Sequence, residues 1–119
     1  MAAALMEFAI PREGEIESVF VFPPELAVFA GHFPGRPIVP GVVELEMVRA
    51  ALEKFTSSEL RIQSVEKAKF LREVKPGERI LLNISFSVSG GLFSVKGSSR
   101  VGAEKAAIVE LTLGKAEAW

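Results

Sequence analysis

The sequence predicts an α+β domain, an antiparallel sheet of about five to six strands with one long buried helix at about 41–55. Three observations carry this. Ile80, Leu82, Ile84, Phe86 and Val88 alternate with Leu81, Asn83, Ser85 and Ser87, the period of two of a strand with one buried face. Residues 41–55 contain no proline, and Val42, Leu45, Val48, Leu52 and Phe55 fall on an i, i+3, i+4 stripe. The 119 residues hold no low-complexity linker or internal repeat, so a single domain is expected over 1–119.

Taken in order, Glu15 to Phe22 reads as a first or second strand, and Val65 to Leu71 as another, closed by the turn Lys75-Pro76-Gly77. After the strand at 80–88, Ser89-Gly90-Gly91 turns the chain into a strand at 92–101. A further turn near 102–105 leads to Ala107, Val109, Leu111 and Leu113, which alternate in the last strand. The second half is therefore expected to be an antiparallel meander of about four strands.

In the helix, Val43, Met47, Ala50 and Ala51 extend the apolar surface beyond the stripe, so burial on most sides is expected. The polar strip is narrow, with Glu46, Arg49 and Glu53 on one line. Glu44 stands about 200° around from Glu46, at 100° per residue, so the two carboxylates serve different sites. A chain this short has limited capacity to bury its own surface, and its mean hydropathy is +0.31. A homodimer is expected.

Composition removes several classes of function. With 49% hydrophobic residues the chain is no disordered segment, and no apolar run approaches the roughly 20 residues of a membrane-spanning helix. No Lys or Arg precedes Arg12, so the basic lead of a secretory signal is missing and a cytoplasmic location is expected. The absence of cysteine excludes disulfides, thiolate metal sites and a Cys nucleophile. A net charge of −1 argues against a nucleic-acid binder. The charge is uneven, however: residues 61–80 carry 6 basic and 3 acidic side chains, residues 1–60 only 4 basic against 9 acidic. That basic middle is either a solvated face or a docking surface for an acidic partner.

The chemistry concentrates in Ala30-Gly31-His32-Phe33-Pro34-Gly35-Arg36-Pro37-Ile38-Val39-Pro40-Gly41-Val42. Three prolines and two glycines in 34–41 make a stiff loop, suited to holding a side chain or an N–H in place. The only histidine, His32, opens it. The helix then starts at Val39-Pro40-Gly41 without Ser, Thr, Asp or Asn to cap it, so its first N–H groups await water or a carbonyl oxygen gaining charge. Glu46 reads equally as a proton donor in apolar surroundings or as half of an i, i+3 ion pair with Arg49.

These residues resemble the signature of the hot-dog-fold (3R)-hydroxyacyl-acyl-carrier-protein dehydratases, H-F-P-G-x-P-I/V-x-P-G-V-L-x-x-E, whose carboxylate lies fourteen residues after the histidine, as Glu46 follows His32. Val65-Glu-Lys-Ala-Lys-Phe-Leu-Arg-Glu-Val-Lys-Pro-Gly-Glu-Arg79 resembles the family's K-A-R-F-x-R-P-V-x-P-G-D, and the Gly97 strand with the last apolar strand is similar to its closing pattern. Ala50 stands where larger members carry Gln, and Glu44 and Arg49 where they are mostly apolar. The resemblance does not extend to the family's usual N-terminal portion, and in this the sequence is similar to shorter relatives of aryl-polyene-type or other specialised acyl synthesis.

The resemblance implies a sheet wrapped around the helix and dimers, or a higher oligomer, whose sites combine His32 of one subunit with Glu46 of the other. It implies dehydration of a 3-hydroxyacyl thioester carried on the phosphopantetheine of acyl carrier protein, with His32 and Glu46 catalytic and the N–H groups of Gly41 and Val42 holding the thioester oxygen. No metal or redox cofactor is expected. Phe33, Val42, Leu45 and Phe70 are expected along the acyl tunnel, and Arg36, Lys67, Lys69 and Arg72 at the carrier protein. Two other readings share this frame: a non-catalytic acyl-thioester or carrier-binding subunit, and an acyl-thioesterase.

Overall fold

The computed structural model describes residues 4–23 and 38–116. Their elements run β1 (Leu5–Ala9), β2 (Glu15–Phe20), α1 (Gly41–Thr56), β3 (Leu60–Phe70), β4 (Ile80–Ser89), β5 (Leu92–Val101) and β6 (Glu104–Lys115). The strands form one antiparallel sheet in the order β1-β2-β4-β5-β6-β3, and α1 packs against it. The α+β reading and the six strands stand as expected; β2 is the second strand, and the helix runs one residue beyond 55.

The expected four-strand meander is only partly formed. β4, β5 and β6 follow one another, but β3 pairs with β6 and becomes the far edge, not the neighbour of β4. β3 also begins at Leu60, five residues before the expected start. The physical reason lies in its register, which shifts between Ile62 and Ser64 and again between Val65 and Lys67. Each irregularity breaks the alternation by which a strand is read from sequence. β1, the opposite edge, shows no alternation of buried and exposed positions, because its five residues are all half-buried or exposed.

The helix-facing side of the sheet has a central row, Ile16, Ile84, Gly97 and Val109, set side by side by the register. At Gly97 a Cβ would lie 3.1 Å from Val109 and 3.2 Å from Val48, so the missing side chain lets α1 approach the sheet. Phe20, Met47, Leu52, Ile80, Leu111 and Leu113 complete the buried core around this row.

The helix presents a different stripe from the one expected. Val43, Glu44, Met47, Val48, Ala51 and Leu52 are buried, whereas Val42 is 65% exposed and Phe55 37%. A helix apolar over most of its circumference allows more than one inward face, and the chosen one carries Met47, Ala51 and Leu52, all fully buried. That choice takes Glu44 into the core.

Glu44 is 6% exposed and accepts a hydrogen bond from Ser99 Oγ of β5 at 3.4 Å. Ser99 lies in register with Leu82, and Leu82 with Ser18, whose buried hydroxyl has no hydrogen-bond partner among the described residues. Burial raises the Glu44 carboxyl from its ordinary 4.5 to about 7, against the opposing pull of the Ser99 hydroxyl. The folded chain therefore keeps Glu44 neutral where the unfolded chain has already ionised it. The stability due to this group is fully present below about pH 4.5 and is lost as the pH rises through about 7. Urea unfolding should show Glu44→Gln gaining on the native protein between pH 5 and pH 8, by on the order of 3 kcal/mol. Parallel pH dependences of the two proteins would contradict the burial.

Candidate active site

The start of α1 is built by the segments on either side of it. The Val39 N–H donates to the Val74 carbonyl at 2.7 Å, which ties the entering chain to the turn before β4. Pro40 then stands as an extended N-cap with no side-chain cap bond, as its ring and missing hydroxyl dictate. Its carbonyl accepts the N–H of Val43 at 3.0 Å and of Glu44 at 3.4 Å, while the N–H groups of Gly41 and Val42 have no acceptor among the described residues. The ring of Phe70, the last residue of β3, lies against Gly41. A Cβ there would meet ring carbons at 2.9 to 3.2 Å, so a side chain at this position would push the end of the Phe70 ring aside. Two open donors, the positive end of a helix and an aromatic wall thus meet at one place.

Glu46 lies one turn further on, on the exposed side that Val42 begins. Its Oε2 accepts the Nε–H of Arg49, and Oε1 has no hydrogen-bond partner among the described residues. Of the two readings open for this carboxylate, the ion pair is present within the single chain. Glu44, on the sheet side, is the more deeply buried of the two carboxylates. Arg49 Nη1 goes on to the Glu53 carboxylate at 3.0 Å and the Leu60 carbonyl at 3.3 Å. The line of Glu46, Arg49 and Glu53 read from spacing is therefore a connected network. Beside it Ala50 leaves an open groove of about 660 Å³ between α1 and β1, bounded by Leu5, Met6, Phe8 and Arg49.

His32, Phe33 and Arg36 lie outside the described residues. Among the described residues on either side, the Phe22 carbonyl accepts the Gly77 N–H at 2.8 Å and Val74 holds Val39. Leu45 is half-buried and Phe70 is 47% exposed beside the helix start. Lys67 and Lys69 are exposed on β3. Arg72 turns away from them to Glu78 at 3.1 Å, and Glu78 also accepts the Lys75 N–H at 2.8 Å. That backbone bond, with Arg72 behind it, holds the Glu78 carboxyl below its ordinary range. Arg72 thus serves the turn before β4.

Two features of the site depend on contacts that no local sequence pattern records. The Glu44–Ser99 pair joins positions fifty-five residues apart, though Glu44 does lie on the i, i+4, i+8 line of Val48 and Leu52. The anchoring of Arg49 on Leu60 depends on the turn after α1, where Ser57 adopts a left-handed conformation at φ 54° and brings β3 back along the helix.

Comparison with known proteins agrees with this architecture. The chain is 35% identical over 97 residues to the 3-hydroxyacyl-[acyl-carrier-protein] dehydratase FabZ of Caldanaerobacter subterraneus, covering 75% of this chain and 69% of that protein. It is 35% identical over 94 residues to the FabZ of Verminephrobacter eiseniae, covering 70% of this chain and 63% of that one. The matched stretch thus spans about two thirds of the length of these curated relatives. Among solved structures, the dehydratase heterocomplex ApeI:P of Xenorhabdus doucetiae aligns with a TM-score of 0.80 at 23% identity, over 93% of this chain and 96% of that chain. This likeness establishes the hot-dog fold. The family described as ApeI-like, ApeI dehydratase, matches residues 9–107, and the chain belongs to that family of dehydratases.

Proposed function

We propose that this protein dehydrates (3R)-hydroxyacyl thioesters, carried on the phosphopantetheine of acyl carrier protein, to trans-2-enoyl thioesters. The observation that carries the proposal is the placement of Glu46 one turn beyond an uncapped helix start, fourteen residues after His32 in H-F-P-G-R-P-I-V-P-G. The thioester carbonyl already acidifies C2. His32 takes the C2 proton, and the electron pair forms the C2–C3 double bond as the C3–O bond breaks. The N–H groups of Gly41 and Val42 receive the charge that builds on the thioester oxygen. Glu46 supplies the proton with which the C3 hydroxyl departs as water, directly or through a bound water. In this scheme no metal or redox cofactor is required. Phe70, Val42 and Leu45, with Phe33, flank the acyl group beside the helix.

The site is completed by a second copy of the chain. Among the described residues β3 pairs with no strand on its outer edge, and Val65 and Phe70 are each 47% exposed on it. An edge of this kind is either covered or prone to pair with another. Pairing of two β3 edges supports a homodimer in which His32 of one subunit meets Glu46 of the other. Lys67 and Lys69, together with Arg36, then present positive charge to an acidic carrier protein. A cytoplasmic enzyme of acyl-chain synthesis accords with all of this. Among the described residues, no helix is long and apolar enough to cross a membrane.

Hydration of a short trans-2-enoyl thioester, followed as loss of enoyl absorbance, tests the reaction in reverse. The native protein should turn over, and His32→Ala and Glu46→Gln should each lower kcat by about 10²-fold or more. Release of free acid and thiol would instead identify a thioesterase, and binding without turnover a non-catalytic subunit. Carrier binding should weaken steadily as salt rises from about 0.05 to 0.5 M, and Lys67→Ala with Lys69→Ala should flatten that dependence. Affinity indifferent to salt would remove the docking assignment.

A further inference from the structure

We propose that Arg49 is a positioning residue for Glu46, a role that rests on the dehydratase reading. The argument starts from how the guanidinium is held. Its Nη1 donates to Glu53 Oε2 at 3.0 Å and to the Leu60 carbonyl at 3.3 Å. The same Glu53 oxygen accepts the Leu60 N–H at 2.7 Å. Leu60 is 2% exposed and is the first residue of β3, so the far side of Arg49 is fastened to the main chain of a buried strand end.

Fastened from behind, the planar fork has one direction left for Nε–H, and Glu46 Oε2 lies there. An exposed i, i+3 ion pair between two free side chains contributes a few tenths of a kcal/mol and leaves both free to rotate. Here one partner is already ordered, so the other takes a fixed orientation. Glu46 is held through one oxygen, while Oε1 has no hydrogen-bond partner among the described residues. Misplacement of a reacting group by about 1 Å can cost on the order of 10²-fold in rate, which sets the scale of what this arrangement protects. The remaining charges around the groove beside Arg49 are Lys54, whose ammonium lies 5.4 Å from the Phe8 ring centroid, and Glu7, which is paired with Arg79. Within the described residues Arg49 is the cation that meets Glu46.

The test is a double-mutant cycle on the intact protein, read by single-turnover hydration of a trans-2-enoyl thioester. Arg49→Ala should lower the rate of the native protein by about 10- to 100-fold with little change in substrate KM, and Arg49→Lys should recover part of it. In the Glu46→Gln background Arg49→Ala should cost little more, because the residue acts through the carboxylate. Independently of activity, the ¹⁵N–¹H signal of Arg49 Nε should exchange slowly in the native protein and rapidly in Glu53→Gln, whose anchor is weakened. Equal losses from Arg49→Ala in both backgrounds, or an Nε signal indifferent to Glu53, would overturn the proposal and leave a structural tie between α1 and β3. A native protein without turnover would overturn the dehydratase reading, and the positioning role with it.

Discussion

The structure depends on how closely α1 lies on the sheet at Gly97. A Cβ there would crowd Val48 and Val109, which would have to give by a few tenths of an ångström. With glycine in the row of Ile16, Ile84 and Val109, Val48 settles between the strands and the rotation of the helix is set. Everything the helix presents follows from that single angle. Met47, Ala51 and Leu52 go inward, while Val42, Glu46, Arg49 and Glu53 are left on the open side. Close packing of this kind has discrete solutions, because interiors as dense as crystals do not deform by degrees.

One helix thereby carries two carboxylates with opposite fates. Glu44 is drawn under the helix to Ser99, where burial favours its neutral form. Glu46 stays outside with Arg49 and keeps one oxygen unengaged among the described residues. The buried carboxyl is a cost to stability at neutral pH, and the half-buried one is tied to Arg49. Their separation by two residues is what sends them apart, since two steps around a helix amount to about 200°. The helix start adds the third element: a proline N-cap without a side-chain acceptor leaves the Gly41 and Val42 donors without a partner among the described residues, and the Phe70 ring walls them on one side.

Much of this was legible in the sequence, and the parts that were not share a physical cause. The strands at 80–89, 92–101 and 104–115 could be read because a regular ladder with one buried face prints its alternation onto the chain. β3 could be read only in part, since its two register shifts erase that alternation, and its pairing with β6 is a matter of topology that no local pattern records. The helix could be located but its inward face could not be chosen, because apolar residues cover most of its circumference. At the site, the His32 to Glu46 spacing and the uncapped start were visible as local chain features. The partners of Glu44 and Arg49, namely Ser99 and the Leu60 carbonyl, were not, because they come from strands the fold brings alongside.

The central claim is that His32 and Glu46 from different subunits form one site. Mixing two inactive proteins, His32→Ala and Glu46→Gln, after unfolding and refolding them together tests it most directly. Random reassortment makes half of the dimers mixed, and each mixed dimer has one intact His32–Glu46 pair, so about a quarter of native turnover should return. Return of no activity from mixed dimers that have demonstrably formed would place both residues in one chain's own site, or outside the site altogether, and would contradict the account.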